Sequence, residues 1–370
     1  MNARFSLYLD LVRFLAAFLV LLSHMAYRRF TDGNYAFLRE WNLGSDAVVL
    51  FFVLSGLVIA YTTDTKDRTL GSFVFNRLTR VYSVAIPAVL LTIGLDSLGA
   101  SLVPKDYDGW WYNDAGFFPT LLRGLTFSTD WGLVSFRLGT NGPFWSLSYE
   151  VAYYALFAAA FYLSGWRRAL ALVVMVPVFG LKPLLLMPAW LLGVAVYRQL
   201  RAGVEIAPAR AWFLTLAPVA IYVACLSIGL PKFLLAETKA LLGDRYVLVL
   251  LNFSNEFIWN NFIALLAAAH FLGVATLSRR RAMPGARVAQ AIRWLAGGSF
   301  SLYLVHYPVL QFTEAVIPQD WPQIVHHPLL LLIALAACFL VAEIFERRLA
   351  AFRALVRSAM FWRRPAAAVQ

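Results

Sequence analysis

The first apolar stretch, Tyr8 to Tyr27, is long enough to cross a bilayer, yet it carries three ionisable residues, Asp10, Arg13 and His24. An ionisable side chain at membrane depth costs about 2.5–3.5 kcal/mol on insertion scales. Three ionisable residues in one span are therefore expected to have charge or hydrogen-bond partners, or a functional role. The sequence predicts a helix packed among others, with its polar stripe directed into the bundle.

Arg13 and His24 are predicted to share one face of this helix. They are eleven residues apart, which corresponds to about 1100° of rotation, about 20° more than three turns. Their side chains should therefore lie about 16 Å apart along the helix axis. Asp10 precedes Arg13 by about one turn and is placed to neutralise it.

Composition indicates a polytopic membrane protein. Of 370 residues, 61% are hydrophobic and 14% charged, against about 25% charged in soluble domains. The net charge of +12 comes mainly from arginines in short loops, so nucleic acid is not an expected partner. Two cysteines in apolar runs, with no zinc-ligand spacing, phosphate-binding glycine loop or nucleophile elbow, give no metal or nucleotide site.

The expected fold is an all-α, polytopic transmembrane bundle of about ten helices. Two places are irregular: Lys182-Pro183 predicts a hairpin between two short spans, and the polar patch Asn252 to Asn261 predicts a break or an outer extension in a long run. The predicted spans are 8–27, 46–63, 81–99, 144–164, 169–181, 184–198, 211–230, 247–277, 293–312 and 328–346.

Lysine and arginine are concentrated in alternate connections, which places both termini in the cytoplasm. We expect a membrane domain over residues 1–350, a basic cytoplasmic tail over 351–370, and residence in the plasma membrane with lipid as a constant partner. The first span is interrupted by charge and lacks a clear cleavage site, so it is interpreted as a retained helix. The long outer connection, residues 100–143, is rich in aromatic residues suited to the membrane interface or to stacking on a sugar.

Three helices bring ionisable groups to similar depths near the outer side. His24 is suited to act as a general base or to meet headgroups at a helix end. Glu150, on one face with Ser146, is suited to orient His24, to bind a sugar hydroxyl or to pair with an arginine. His306 is suited to a structural or a catalytic role. Asp46 would join this layer if it faces inward.

The cytoplasmic side differs in kind. Arg77 and Arg80 share one face of a helix at the membrane surface. Arginine forks suit phosphate, so the pair would bind either a nucleotide-like head group or lipid phosphate. Ser55 and Gly56 lie mid-membrane in the second span, where small residues favour close helix packing over a channel lining.

Taken together, these stretches resemble acyltransferase family 3, membrane proteins that move acyl groups, often acetyl, onto sugars and other extracytoplasmic acceptors. The resemblance is distributed over nearly the whole chain. It rests on R-x10-H from Arg13 to His24, V-V-L-F-F-V-L-S-G at 48–56, F-N-R-L-T-R at 75–80, F-W-S-L-S-Y-E at 144–150, which includes Trp145 and Ser148, and S-F-S-L-Y-L-V-H-Y-P at 299–308, which includes Tyr303.

The resemblance implies that Arg13 and His24 are essential for transfer, that Arg77 and Arg80 engage acyl-CoA, and that Glu150 lines the catalytic cavity. The chain has Asn76 where the family often has an arginine, and Ser83 where it often has a proline. Some members carry an esterase-like domain after the membrane part, and none is expected here.

The resulting hypothesis is an O-acyltransferase, with acetyl-CoA as the expected donor, that modifies a cell-surface polysaccharide or other glycan. His24, oriented by Glu150 or Asp46, would remove the hydroxyl proton, and Arg13 would stabilise charge on the acyl path. An acyl-histidine intermediate is a variant of this scheme. A carrier or flippase for a lipid-linked sugar or a small anion is the alternative, with the polar stripe as its path.

Overall fold

The computed structural model describes residues 1–279, 283–318 and 320–361, and within these ranges the regular secondary structure is helical, without strands. Of the predicted features, Arg280, Arg281 and the end of the basic tail, 362–370, lie outside the described residues. The helices are α1 Ala3–Met25, α2 Arg28–Thr31, α3 Phe37–Glu40, α4 Leu43–Thr65, α5 Leu70–Leu102, α6 Phe117–Leu125, α7 Trp145–Tyr162, α8 Gly165–Phe179, α9 Leu181–Arg201, α10 Pro208–Ser227, α11 Leu230–Leu242, α12 Asp244–Tyr246, α13 Phe257–Ser278, α14 Ala286–Ala296, α15 Ser299–Val316, α16 Gln323–Val341 and α17 Leu349–Phe361.

All ten predicted spans are helical, and seven helical segments in the described part of the chain are long and apolar enough to cross a membrane. The seven are α1, α4, α5, α9, α10, the segment Asp244–Ser278 that contains α13, and Gln323–Glu346, which contains α16. The other three are α7, α8 and α15. Helix α15 is buried along most of its length, so it can carry polar residues that a lipid-facing helix could not.

The long run around residue 250 is broken, as its polar patch predicts. A π-helical turn, Val247–Leu251, is followed by a 3-10 turn, Asn252–Ser254, before α13 begins at Phe257. Asn252 adopts a positive φ of 46° and donates to Asp130 at 3.0 Å. The break therefore directs an amide side chain into the bundle.

The hairpin between α8 and α9 lies two residues before its predicted place. The chain turns at Gly180 (φ +76°), where a Cβ atom would lie 2.6 Å from the Cα atom of Gly132. Lys182 is part of α9 and is buried. Its ammonium group donates to Asp130 at 2.8 Å and to Ser135 at 2.7 Å. These partners offset the cost of removing the charge from water.

The connection between α5 and α7 is not only a surface loop. Its last part enters the bundle, where Thr140 donates to Asp96 at 2.8 Å through its backbone and at 2.6 Å through its hydroxyl group. Asn141 donates to the Leu304 carbonyl at 2.8 Å, beside the middle of α15. Helix α7 therefore begins inside the bundle, below the level that the sequence predicts.

Helices α4 and α9 touch through their backbones. A Cβ atom on Gly56 would lie 1.9 Å from the Trp190 carbonyl oxygen, and a Cβ atom on Gly193 would lie 1.9 Å from that of Val53. Small residues permit such contacts between membrane helices. The close-packing interpretation of Gly56 is thereby confirmed.

Replacing Gly193 with Ala is expected to destabilise the bundle by about 1–3 kcal/mol, because the added methyl group must separate two backbones. The matched control is Gly94→Ala on α5, where a Cβ atom meets open space, and no loss is expected there. Thermal unfolding of the purified protein in detergent measures both. A Gly193→Ala variant that melts like the wild type would contradict the contact.

Candidate active site

A cavity of about 160 Å³ lies between α1, α4, α5, α7 and α15. It is mixed in character, with three guanidinium groups, a carboxyl group and hydroxyl groups set among apolar side chains. We call the end of the bundle that holds Arg77 and Arg80 the arginine end. The polar lining residues are Arg13, Ser55, Arg77, Arg80, Ser146, Glu150, Tyr154, Ser299 and Tyr303.

Arg13 and His24 both face α15, as their spacing predicts. Arg13 lines the cavity beside Ser299, and His24 bonds to His306 further along the same helix. Arg13 donates to Asp10 at 2.6 Å, one turn earlier on α1. The Nε atom of Arg13 is buried without a hydrogen-bond partner among the described residues, so it can still donate to a ligand.

Arg77 and Arg80 lie on α5 and are each held by a buried carboxylate. Arg77 donates to Asp67 at 3.0 Å, and Arg80 donates to Glu346 at 2.8 Å. The side chains of Asp67 and Glu346 are each only 1% exposed. The backbone N–H of Ser301 also donates to Glu346, at 2.8 Å, which ties α5 to α15 through one carboxylate.

Arg13, Arg77 and Arg80 thus line one cavity. Their ion pairs balance each arginine with one acidic residue. The Nε atom of Arg77, like that of Arg13, is buried and has no partner in the described part of the chain. A ligand anion would therefore meet guanidinium groups that are already held in place and retain free donors.

Glu150 lines the cavity, as predicted, and it bonds away from His24. Its Oε1 atom accepts from Ser55 at 2.7 Å and from the hydroxyl group of Tyr154. Trp190 in turn donates to Ser55 at 3.2 Å. The expectation that Glu150 orients His24 is not met, because α7 begins too deep in the bundle for this carboxylate to reach the histidine level.

Tyr303 lines the cavity on the side of the histidines. Its hydroxyl group lies 2.6 Å from that of Ser146 and donates to the Pro143 carbonyl at 3.2 Å. Its ring centroid is 6.3 Å from that of His306. Tyr303 thus separates the arginine-lined cavity from the histidine pair described next, and Ser146 holds it there.

His24 is oriented by His306. The Nδ1 atom of His24 lies 2.9 Å from the Nε2 atom of His306, and the Nδ1 atom of His306 lies 2.8 Å from the Leu302 carbonyl oxygen. A carbonyl only accepts, so the proton of neutral His306 is on Nδ1 and its Nε2 atom accepts. His24 must then donate from Nδ1, which leaves its Nε2 atom unprotonated. This is the tautomer that a general base requires.

Aromatic rings and arginine side chains lie around His24. Tyr27 stacks at 6.1 Å from His24, and Tyr307 meets it edge-on at 5.0 Å. Arg29 donates to the Tyr307 hydroxyl group. Trp110, from the long connection, lies 6.5 Å from Tyr27 between ring centroids and is 68% exposed. Trp110 belongs to the aromatic-rich connection 100–143, for which the sequence predicts a place at the membrane interface or a stacking contact with a sugar.

Arg137 also lies in this group of aromatic and arginine side chains. The guanidinium carbon of Arg137 lies 5.3 Å from the centre of the Trp110 ring. Nothing in its sequence context distinguishes Arg137 from other loop arginines. It enters the group because the connection that carries it folds back over the bundle.

Asp46, Trp145 and Ser148 lie elsewhere. Asp46 accepts from Tyr222 at 2.8 Å and from Trp259 at 2.9 Å, so it binds α10 and α13 and does not orient His24. Trp145 stacks on Phe253 at 4.7 Å between centroids. Ser148 is fully buried and bonds to Thr129. Their contacts are those of residues that hold helices and loops together.

Replacing Glu150 with Gln is expected to leave thermal stability unchanged, because an amide oxygen can accept from Ser55 and Tyr154 as the carboxylate does. Replacing it with Leu leaves two buried hydroxyl groups short of an acceptor, at a cost of about 1–3 kcal/mol. Melting temperatures of the two variants measure the difference. Equal losses in both would show that the charge of Glu150, rather than its acceptor atom, holds the cluster.

Comparisons with known proteins agree on the class of this chain. The family model described as "Acyltransferase domain" matches residues 6–343. The acyltransferase MdmB of Streptomyces mycarofaciens is 31% identical over 150 residues, which are 40% of this chain and 36% of that protein. This alignment therefore spans about a third of the relative. No solved structure matches. Since the family model covers nearly the whole chain, the protein belongs to acyltransferase family 3.

Proposed function

We propose that this membrane acyltransferase moves an acyl group, acetyl in the first instance, from cytoplasmic acyl-CoA to a hydroxyl group of an extracytoplasmic glycan or glycoconjugate. The observation that carries the proposal is the Leu302–His306–His24 chain of hydrogen bonds. It sets a basic nitrogen near one end of α1, the helix from which Arg13 lines the cavity. In this proposal the arginine end faces the cytoplasm, in a bacterial inner membrane.

The cavity lined by Arg13, Arg77 and Arg80 is the proposed donor site. Arg13 and Arg77 each keep a buried Nε–H group without a partner among the described residues. Such groups bind phosphate oxygens or a thioester carbonyl with little reorganisation, because Asp10 and Asp67 already hold the guanidinium planes. The acyl end of the donor then extends past Tyr303 towards His24.

His24 is the proposed general base. Its Nε2 atom takes the proton of the acceptor hydroxyl group as the hydroxyl oxygen attacks the thioester carbonyl carbon. The C–S bond then breaks, and the departing thiolate recovers the proton from His24, giving the ester and free CoA. His306 does not touch the substrate in this scheme. It positions His24 and keeps it in the reactive tautomer.

The proposed acceptor entrance lies beside His24, where exposed Trp110 stands over Tyr27. Aromatic faces pack against the C–H face of sugars, and the guanidinium of Arg137 beside Trp110 can donate to hydroxyl or acidic groups of a glycan. The same polar groups would line the path of a flippase for a lipid-linked sugar. Such a carrier would not consume acyl-CoA.

Purified protein in lipid nanodiscs, incubated with labelled acetyl-CoA and a cell-surface glycan fraction, is expected to release CoA and label the glycan. His24→Ala should lower the rate by about 100-fold to 10,000-fold, the factor that a general base contributes. Its melting temperature and its yield are the controls for folding. Acyl transfer that persists in a folded His24→Ala variant would exclude His24 as the base, and glycan flux into sealed proteoliposomes without CoA release would favour the carrier.

Two substitutions of His306 distinguish its role in positioning His24 from its role in filling space in the bundle. His306→Gln can still present an oxygen to Nδ1–H of His24, whereas His306→Leu fills similar space without an acceptor. We expect kcat to fall by about 10-fold to 100-fold in the Leu variant and less in the Gln variant, with KM for both substrates unchanged. Equal kcat values in two equally stable variants would contradict a positioning role.

A further inference from the structure

The last described helix, α17, lies against the arginine end of α5. Arg353 on α17 donates from Nε to the Thr79 hydroxyl group at 3.1 Å and from Nη2 to the Asn76 carbonyl at 3.2 Å. Asn76 precedes Arg77 and Thr79 precedes Arg80 on α5. A third guanidinium group is therefore fixed beside the two arginines expected to bind the donor.

Arg357 extends this group by one helical turn. It is four residues after Arg353, so both side chains leave α17 on the same face. Its guanidinium carbon lies 5.0 Å from the centre of the Phe75 ring on α5, and the residue is exposed. Phe75 thus holds the cation towards α5 while its hydrogen-bond donors remain open to solvent.

The charges at this end do not balance. Arg77 and Arg80 each face one buried carboxylate, whereas the oxygen atoms that accept from Arg353 are neutral. Burial, followed by the nearby charges of Arg77 and Arg80, lowers the pKa of Arg353. A guanidinium group keeps its charge in proteins, so α17 adds positive charge that an anion can neutralise.

The two arginine pairs lie at different distances from the cavity. Arg77 and Arg80 line it. Arg353 and Arg357 are not among its lining residues, and they contact Thr79 and Phe75 of α5, which do not line it either. Coenzyme A carries phosphate in a matching order. Its diphosphate adjoins the pantetheine arm, and its 3′-phosphate lies on the ribose, further from the thioester.

We propose that Arg353 and Arg357 bind the 3′-phosphate of the donor, while Arg77 and Arg80 serve its diphosphate. The inference rests on the proposed function, since it names the part of acyl-CoA that α17 recognises. Anionic lipid headgroups offer the same phosphate chemistry, and the test below separates the two sources. Neither Arg353 nor Arg357 takes part in the chemical step, so only donor binding should depend on them.

The test compares acetyl-CoA with acetyl-dephospho-CoA, which lacks the 3′-phosphate, in nanodiscs of neutral lipid. For wild-type protein, KM should be at least about tenfold lower with acetyl-CoA. In the double variant Arg353→Ala/Arg357→Ala that preference should be lost, with kcat unchanged. Arg353→Lys/Arg357→Lys, which keeps the charge without the fork, should give an intermediate KM and covers the case in which the Ala variant is unstable. Arg348→Ala, an exposed arginine just before α17, should behave like the wild type.

The outcomes are distinct. If no protein, wild type included, transfers acetyl from either donor, the proposed function fails. If transfer occurs and the wild type does not distinguish the two donors, or the double variant raises KM for both equally, the inference about the 3′-phosphate is wrong. An effect of the double variant that appears only in nanodiscs with anionic lipid would assign the two arginines to lipid phosphate and would also overturn it.

Discussion

Pairing between charged side chains on different segments is the interaction on which this bundle depends. Glu346 accepts from Arg80 and from the start of α15, and Asp67 holds Arg77. In an apolar medium a carboxylate without such partners is very costly, so these contacts define where α5 can lie against α15 and the chain before it. The cavity lies between helices that these contacts hold in place.

The two polar regions of the site differ in how they are satisfied. At the arginine end, charge opposes charge and some donors remain free, which is suited to holding an anion. Around His24 the decisive contacts are directional hydrogen bonds between neutral rings and a backbone carbonyl. In the proposed function, donor binding and proton transfer therefore depend on different kinds of contact.

Helical period was enough to place Arg13 and His24 on one face, because eleven residues come close to whole turns. Composition was enough for the all-helical class. The partner of His24 was predicted to be Glu150 or Asp46, and the prediction was wrong, because His306 is 282 residues away and depth alone does not show which side chains meet. Lys182 was expected in a turn because Pro183 follows it, and only the position of Asp130 explains its burial. Arg353 belonged to an expected basic tail whose docking on α5 has no signature in sequence.

The backbone contact between α4 and α9 has a mechanical consequence. Because Gly56 and Gly193 bring main chain against main chain, no side chain lies between the two helices at these two contacts, and no rotamer change there could let them slide apart. One wall of the cavity belongs to α4 and is therefore rigid. The opposite wall, formed by α5 and α15, is joined through hydrogen-bonded side chains, which can exchange partners. A change in the width of the cavity would then require α5 or α15 to move relative to α4.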